Sequence, residues 1–381
     1  MKFGTKAIHA GVKPDPSTGA IMTPIYQTST YVQKAPGKHQ GFEYARTQNP
    51  TRNALQESLA SIENGQYGVC FSSGLAALDA ILKLLKSGDE IISTNDLYGG
   101  SYRLITKVFG QFGIGASFID MSEPANIEKH ITAKTKFILI ETPTNPMLNI
   151  VDIKAVVKVA KKHKLKVVVD NTFASPYLQN PLDLGADIVW HSCTKYLGGH
   201  SDVVMGAVIT KSKSLADKLY FIQNAAGAVP GPQDCFLMLR GIKTLHLRVQ
   251  RSCENAKKVA EFLRDHKKVS KVYYPGFKTH KGHAVAKKQM NGFGGMVSFD
   301  LKNNKLSSAK KVLSGTKLFA LAESLGGVES LIGHPASMTH ASIPKADRLK
   351  VGLTDSLIRL SIGVEDIGDL IEDLKKALLK L

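Results

Sequence analysis

Lys195 ends the run His191-Ser192-Cys193-Thr194-Lys195, which follows the apolar triplet Ile188-Val189-Trp190. A lysine amine can form a Schiff base with an aldehyde and can later carry protons. Ser192 and Thr194 place two small hydroxyls beside it that can hold an anion. Asp170 directly follows a second apolar run, Val167-Val168-Val169. The stretch Glu141-Thr142-Pro143-Thr144-Asn145-Pro146 follows a third, Phe137-Ile138-Leu139-Ile140. Ser73-Gly74-Leu75 stands where a helical pattern begins, and backbone N–H groups at a helix start bind phosphate. In an open parallel sheet, ligands bind beyond the carboxyl ends of the strands. These segments point to one anion-binding crevice.

Pyridoxal phosphate (PLP) uses all of these groups at once. Its aldehyde would take Lys195. Its phosphate would take the Ser73, Gly74 and Leu75 segment with the Ser192 and Thr194 hydroxyls. Asp170 would face the ring nitrogen and keep it protonated, so that the ring acts as an electron sink. Each residue alone has a plainer reading. An Asp after a strand is often a turn residue, Ser-Ser-Gly is often only a cap, and a lysine after Ser-x-Thr is often at the surface. Their joint order carries the argument. Cys193 alternates with Ser192 and Thr194, which points it to the opposite face, so it is not read as a nucleophile.

Positioning these groups requires an α/β framework. The first fifty residues are rich in turn formers (Pro14, Pro16, Gly19, Pro24, Pro36, Gly37, Gly41) and poor in periodicity, so residues 1–50 read as an extended arm. Thr51 is placed to cap a helix running to about Glu63, closed by Asn64-Gly65. Leu75, Leu78, Ile81, Leu82 and Leu85 repeat at helical spacing and predict a helix over Leu75 to Lys86. The apolar runs at 90–92, 137–140, 167–169 and 188–190 are short and nearly continuous, as buried parallel strands are. After about Gly241 a long amphipathic stretch, Thr244 to His266, precedes strand-like runs at 271–274, 295–299 and 358–362 and a closing helix, Glu365 to Leu379. The expected division is 1–50 arm, 51–243 large domain and 244–381 smaller α+β domain.

The 381 residues carry a net charge of +18, but the lysines are dispersed, as in Lys154, Lys158, Lys161, Lys162, Lys164 and Lys166. Dispersed charge reads as a solvated basic face that can steer phosphates, and no nucleic-acid partner is expected. No run of 18 apolar residues predicts a membrane span. Met1-Lys2-Phe3-Gly4-Thr5 lacks a signal-peptide pattern. Cys70, Cys193, Cys235 and Cys253 form no C-x-x-C pair, so neither a metal site nor a disulfide framework is expected, and a cytoplasmic location is the simplest.

The stretch Asp187-Ile188-Val189-Trp190-His191-Ser192-Cys193-Thr194-Lys195-Tyr196-Leu197-Gly198-Gly199-His200-Ser201-Asp202 resembles the PLP-dependent transsulfuration enzymes of cysteine and methionine metabolism. Further matches are Tyr44-Ala45-Arg46, Asn49-Pro50-Thr51-Arg52, Val169-Asp170-Asn171-Thr172-Phe173 and Ala322-Glu323-Ser324-Leu325-Gly326-Gly327, and the likeness covers nearly the whole chain. It implies the aspartate-aminotransferase-like PLP fold (fold type I), with a mainly parallel seven-stranded sheet and a smaller α+β C-terminal domain. It implies that Lys195 holds PLP, that Asp170 pairs with the ring nitrogen, and that Tyr98 stacks on the ring and aids proton transfer. Gly74, Leu75, Ser192 and Thr194 would hold the phosphate. Tyr44 and Arg46 would reach the phosphate of a neighbouring subunit, in a homotetramer with shared sites. Arg359 would clamp the substrate carboxylate, aided by Asn145 and Ser324. Without the resemblance, Tyr98 reads as a turn aromatic and Arg359 as an edge-facing strand charge.

The resemblance also narrows the reaction. β-Lyases of this family often carry an aromatic where Glu323 stands, methionine γ-lyases a cysteine where Gly100 stands, and O-acetylhomoserine sulfhydrylases are generally longer. Glu43 and Glu323 fall where the γ-lyases bear two acidic residues near the distal end of the substrate. The expectation is cystathionine γ-lyase, with cystathionine γ-synthase as the alternative. A catalytically silent PLP-fold or basic binding protein is the reading from another class.

Overall fold

The computed structural model describes residues 1–341 and 345–381. A seven-stranded sheet comprises β1 (Tyr67–Phe71), β2 (Glu90–Thr94), β3 (Gly115–Ile119), β4 (Thr135–Glu141), β5 (Lys166–Asp170), β6 (Ile188–Ser192) and β7 (Gly206–Thr210). Their spatial order is β1-β7-β6-β5-β4-β2-β3. The pairings from β3 across to β6 are parallel. β7 runs antiparallel to both β6 and β1. The sheet is therefore mainly parallel with one reversed strand.

Helices cover both faces, which is why the strands read as continuous apolar runs. Val168 packs on one face with Leu78, Ile81 and Trp190. Val167 and Val169 pack on the other with Ile138, Ile140 and Val156. β1, β3 and β7 were not expected from the sequence. Each is rich in Gly, Ala, Ser or Cys, which weakens the strand signal.

Five further strands form a second sheet in the order β10-β11-β12-β9-β8. They are β8 (Val269–Tyr273), β9 (Met296–Leu301), β10 (Ala320–Leu321), β11 (Leu331–Gly333) and β12 (Ile358–Ser361). The helices Leu245–Asp265, Leu306–Leu313 and Ile367–Leu379 contribute buried side chains to a core that includes Ile358 and Leu360. Strand alternation turns Arg359 and Ser361 the other way. Arg359 sits within a paired central strand and is buried, so the edge-facing reading is overturned.

Residues 1–50 are less arm-like at their start than expected. Helix α1 (Phe3–His9) buries Ala7, and Phe3 packs against the same core. Helix α2 (Pro50–Ile62) is capped by the Asn49 side chain, which accepts from the Thr51 and Arg52 amides. Thr51 is not the cap because its hydroxyl donates to the Pro24 carbonyl at 2.8 Å and accepts from the Tyr26 amide. Helix α3 (Gly74–Leu82) begins one residue earlier and ends sooner than predicted. Among the described residues, no helix is long and apolar enough to cross a membrane.

Candidate active site

A cavity of about 350 Å³ lies where the carboxyl ends of β4, β5 and β6 meet the start of α3. Its far wall comes from the second sheet's region, through Glu323, Ser324, Leu325 and Arg359. Residues from widely separated parts of the chain thus converge on one cavity.

Lys195 follows β6 by three residues. Thr194 and Met205 close the base of the loop that carries it: the Met205 amide donates to Thr194 Oγ1 at 3.0 Å, and the Thr194 amide donates to the Met205 carbonyl at 3.3 Å. Lys195 Nζ donates to Ser324 Oγ at 2.7 Å. Burial pushes its amine down to about 8, with the Arg359 charge adding and the Glu323 charge opposing. The amine is consequently closer to its neutral, nucleophilic form than an ordinary lysine is.

Asp170 ends β5 and is buried. Burial raises its carboxyl; hydrogen bonds from Thr172 and the charge of His191 oppose that rise. The Thr172 amide donates to Oδ1 at 3.0 Å. Among the described residues, no cation is ion-paired with this carboxylate, so a protonated ring nitrogen fits the need. Behind it, His191 Nε2 lies 2.5 Å from Glu63 Oε1, and both side chains are buried. Asn171 Nδ2 donates to the same oxygen at 2.7 Å. Sequence reading placed Glu63 only at a helix end.

The start of α3 offers groups that a phosphate would need. Ser73 Oγ accepts from the Ala76 amide at 3.0 Å, whereas the Gly74 and Leu75 amides precede the helical ladder and have no acceptor within it. A Cβ on Gly74 would lie 2.8 Å from Ser192 Cβ and 2.9 Å from Ser192 Cα. Only glycine lets the helix start approach β6 this closely. That approach brings both halves of the anion cup, the α3 amides and the Ser192 and Thr194 hydroxyls, to one cavity. The residues present fit PLP.

The Tyr98 side chain lines the cavity, and its amide donates to Glu141 Oε2 at 2.9 Å. A Cβ on Gly100 would stand 2.3 Å from Tyr98 Cε1, so a bare glycine is required for this ring position. Arg359 Nη1 donates to Asn145 Oδ1 at 2.8 Å and Nη2 to the Ser324 carbonyl at 2.9 Å. No carboxylate among the described residues is ion-paired with it. Burial pushes its guanidinium down to about 10, opposed by Tyr196, Glu323, Tyr98 and Glu141. Ser324 has a left-handed backbone, φ 102°, a region that favours glycine.

Glu43, Tyr44 and Arg46 do not line this chain's own cavity. Arg46 Nη1 donates to the Asn224 carbonyl at 2.6 Å, and its guanidinium lies 5.5 Å from the Tyr44 ring centroid.

Besides Glu63, the buried carboxyls of Glu141 and Asp96 near the cavity were not assigned roles from the sequence. Glu141 pairs with Asp170 across β4 and β5, and burial together with the Asp170 charge raises its carboxyl well above the usual range. Its place after an apolar run is the same signal that marked Asp170. Burial pushes Asp96 up to about 6. Thr339 also lines the cavity, from a loop that carries no sequence signal.

The family model for Cys/Met metabolism PLP-dependent enzymes matches residues 4–379. A cystathionine beta-lyase of Coxiella burnetii is 54% identical over 376 residues, covering 98% of this chain and 97% of that one. A cystathionine gamma-synthase of Mycobacterium leprae is 54% identical over 378 residues, covering 99% and 96%. The crystal structure of cystathionine gamma-lyase from Lactobacillus plantarum complexed with L-serine superposes with TM-score 0.97 at 47% identity, covering 100% and 99%. The fold is the aspartate-aminotransferase-like PLP fold, and the chain belongs to the PLP-dependent enzymes of cysteine and methionine metabolism.

Proposed function

We propose that this enzyme works at the γ carbon of sulfur amino acids and that its leading reaction is cleavage of cystathionine to cysteine, 2-oxobutyrate and ammonia. Relatives of similar identity carry β-lyase and γ-synthase names, so overall similarity does not choose the reaction. The observation that carries the choice is Glu323. Its carboxylate lines the cavity on the same wall as Arg359, and its charge acts on Lys195. It complements the distal ammonium of cystathionine, while Arg359 and Asn145 take the α-carboxylate.

Bound PLP supplies an aldehyde that links to amines and a ring that delocalises negative charge. Lys195 Nζ removes the α proton and, for γ chemistry, a proton from the β carbon as well. The Ser324 hydroxyl holds that amine at the cavity wall between transfers. Tyr98 would cover the ring and assist proton transfer, and Asp170 would hold the ring nitrogen. We read 51–243 and 244–381 as two domains. Glu43, Tyr44 and Arg46 lie outside their own cavity, which supports a tetramer in which they serve a neighbour's site.

Product analysis tests the reaction. Cystathionine should give cysteine and 2-oxobutyrate as the dominant products. Homocysteine and pyruvate in their place would make the enzyme a β-lyase. Faster formation of cystathionine from O-acetyl- or O-succinylhomoserine plus cysteine would make it a γ-synthase.

Arg359→Ala tests the carboxylate clamp. The Michaelis constant should rise, with a loss in kcat/KM equivalent to about 2–5 kcal/mol for a buried charged partner. PLP content should stay at the parent level. A Michaelis constant within twofold of the parent would remove Arg359 from this role.

A further inference from the structure

We propose that Asp96 and Glu141 form a reciprocal clasp that makes the Tyr98 segment and the Asn145 segment move as one body. The inference rests on the reading that Tyr98 and Asn145 serve the cavity described above. Asp96 lies on the segment between β2 and Tyr98, and it grips the loop that carries Asn145. Its Oδ2 accepts from the Thr144 hydroxyl and from Asn149 Nδ2 at 3.2 Å. Glu141 ends β4, on the segment that leads to Asn145, and it grips the other side. Its Oε2 accepts from the Tyr98 amide at 2.9 Å. Each carboxyl group stands on one segment and holds the other.

The geometry separates this clasp from an ordinary loop staple. Asp96, Glu141, Thr144 and Asn145 are all buried, so a lost partner leaves polar groups with no water to replace it. Within the gripped loop, the Asn149 amide donates to Thr144 Oγ1 at 2.9 Å, so the Thr144 hydroxyl serves both the loop and the clasp. Asn145 then takes Nη1 of Arg359 through its side chain. A substrate carboxylate that settles on Arg359 and Asn145 would thus fix the distance to the Tyr98 ring through Glu141 and Asp96. Asp96, Glu141 and Thr144 are positioning residues for the carboxylate clamp and the ring cover.

Holoenzyme carrying Thr144→Val or Asp96→Asn tests this. Thr144→Val deletes one hydroxyl while keeping shape, and it carries the test if Asp96→Asn does not fold. The readouts are kcat and KM taken separately with cystathionine, PLP content, thermal midpoint, and binding of unreactive glycine by absorbance titration. With the protein folded, misplacement at the site should raise KM, weaken glycine binding and lower kcat, for a combined loss in kcat/KM of roughly 10- to 100-fold. PLP content should hold, and Thr144→Ser should restore both constants. A lower thermal midpoint with kcat, KM and glycine binding all within twofold of the parent would overturn the clasp. Tyr98→Phe and Arg359→Lys are the controls. If they too leave kinetics unchanged, the site reading fails; if they impair turnover while Thr144→Val does not, only the clasp fails.

Discussion

Lys195→Ala is expected to reduce turnover to background and to abolish covalent attachment of PLP. Among the described residues, no other lysine lines the cavity, and Lys195 Nζ is already held there by Ser324 Oγ at 2.7 Å. Borohydride treatment followed by mass measurement checks the attachment: the parent chain should retain the cofactor's mass and the variant should not. The electrostatics add a pH signature. An amine at about 8 instead of 10.5 is roughly half neutral at pH 8, about 150-fold more than an ordinary lysine. Uptake of PLP by cofactor-free parent protein should accelerate as pH rises through 8 and then level off. Acceleration that continues to pH 10 would show that burial and the Arg359 charge do not tune this amine.

Asp170→Asn is expected to lower kcat by about 100-fold or more, because it removes the charge that would keep the ring nitrogen protonated. The Michaelis constant should change little, since Arg359 and Asn145 occupy another wall. Stability should respond in the opposite sense. Burial raises the Asp170 carboxyl, so its contribution to stability is greatest below the unfolded value and is lost as pH rises through the folded one. Once ionised, the carboxylate is a buried charge with no ion-pair partner among the described residues, and the amide relieves it. Cofactor-free Asp170→Asn should melt no lower than the parent at pH 8 while the loaded variant is nearly inactive. A clear fall in melting temperature with full activity would assign Asp170 a structural task instead.

The sequence was most legible where one physical signal dominated. Val167-Val168-Val169 and Ile188-Val189-Trp190 announced buried strands because both faces are covered. The chemistry at their carboxyl ends followed from the open-sheet rule. β1, β3 and β7 were hidden because glycines, alanines and small polar residues carry little strand signal. The reversal of β7 depends on a long return loop that no local pattern reveals. α1 was missed because seven residues give too few turns for periodicity. At the site, Lys195 and Asp170 were in view from the residues and Arg359 only through the resemblance, but the burial of Glu141 against Asp170 follows from strand register, and the grip of Asp96 on Thr144 from loop packing. Neither can be read along the chain. Glu323 was legible only through family resemblance, because an exposed-pattern glutamate in a loop has no signature of its own.

Ser324 carries a different kind of consequence. Its backbone occupies a region that costs a non-glycine residue about 1–3 kcal/mol, while its hydroxyl anchors Lys195. Mutational drift judged by fold stability alone would favour glycine at this position, and drift judged by turnover would favour serine. The residue therefore records which of the two pressures has prevailed. In a laboratory lineage selected only for heat resistance, it is a site where a gain in robustness would conceal a loss of chemistry.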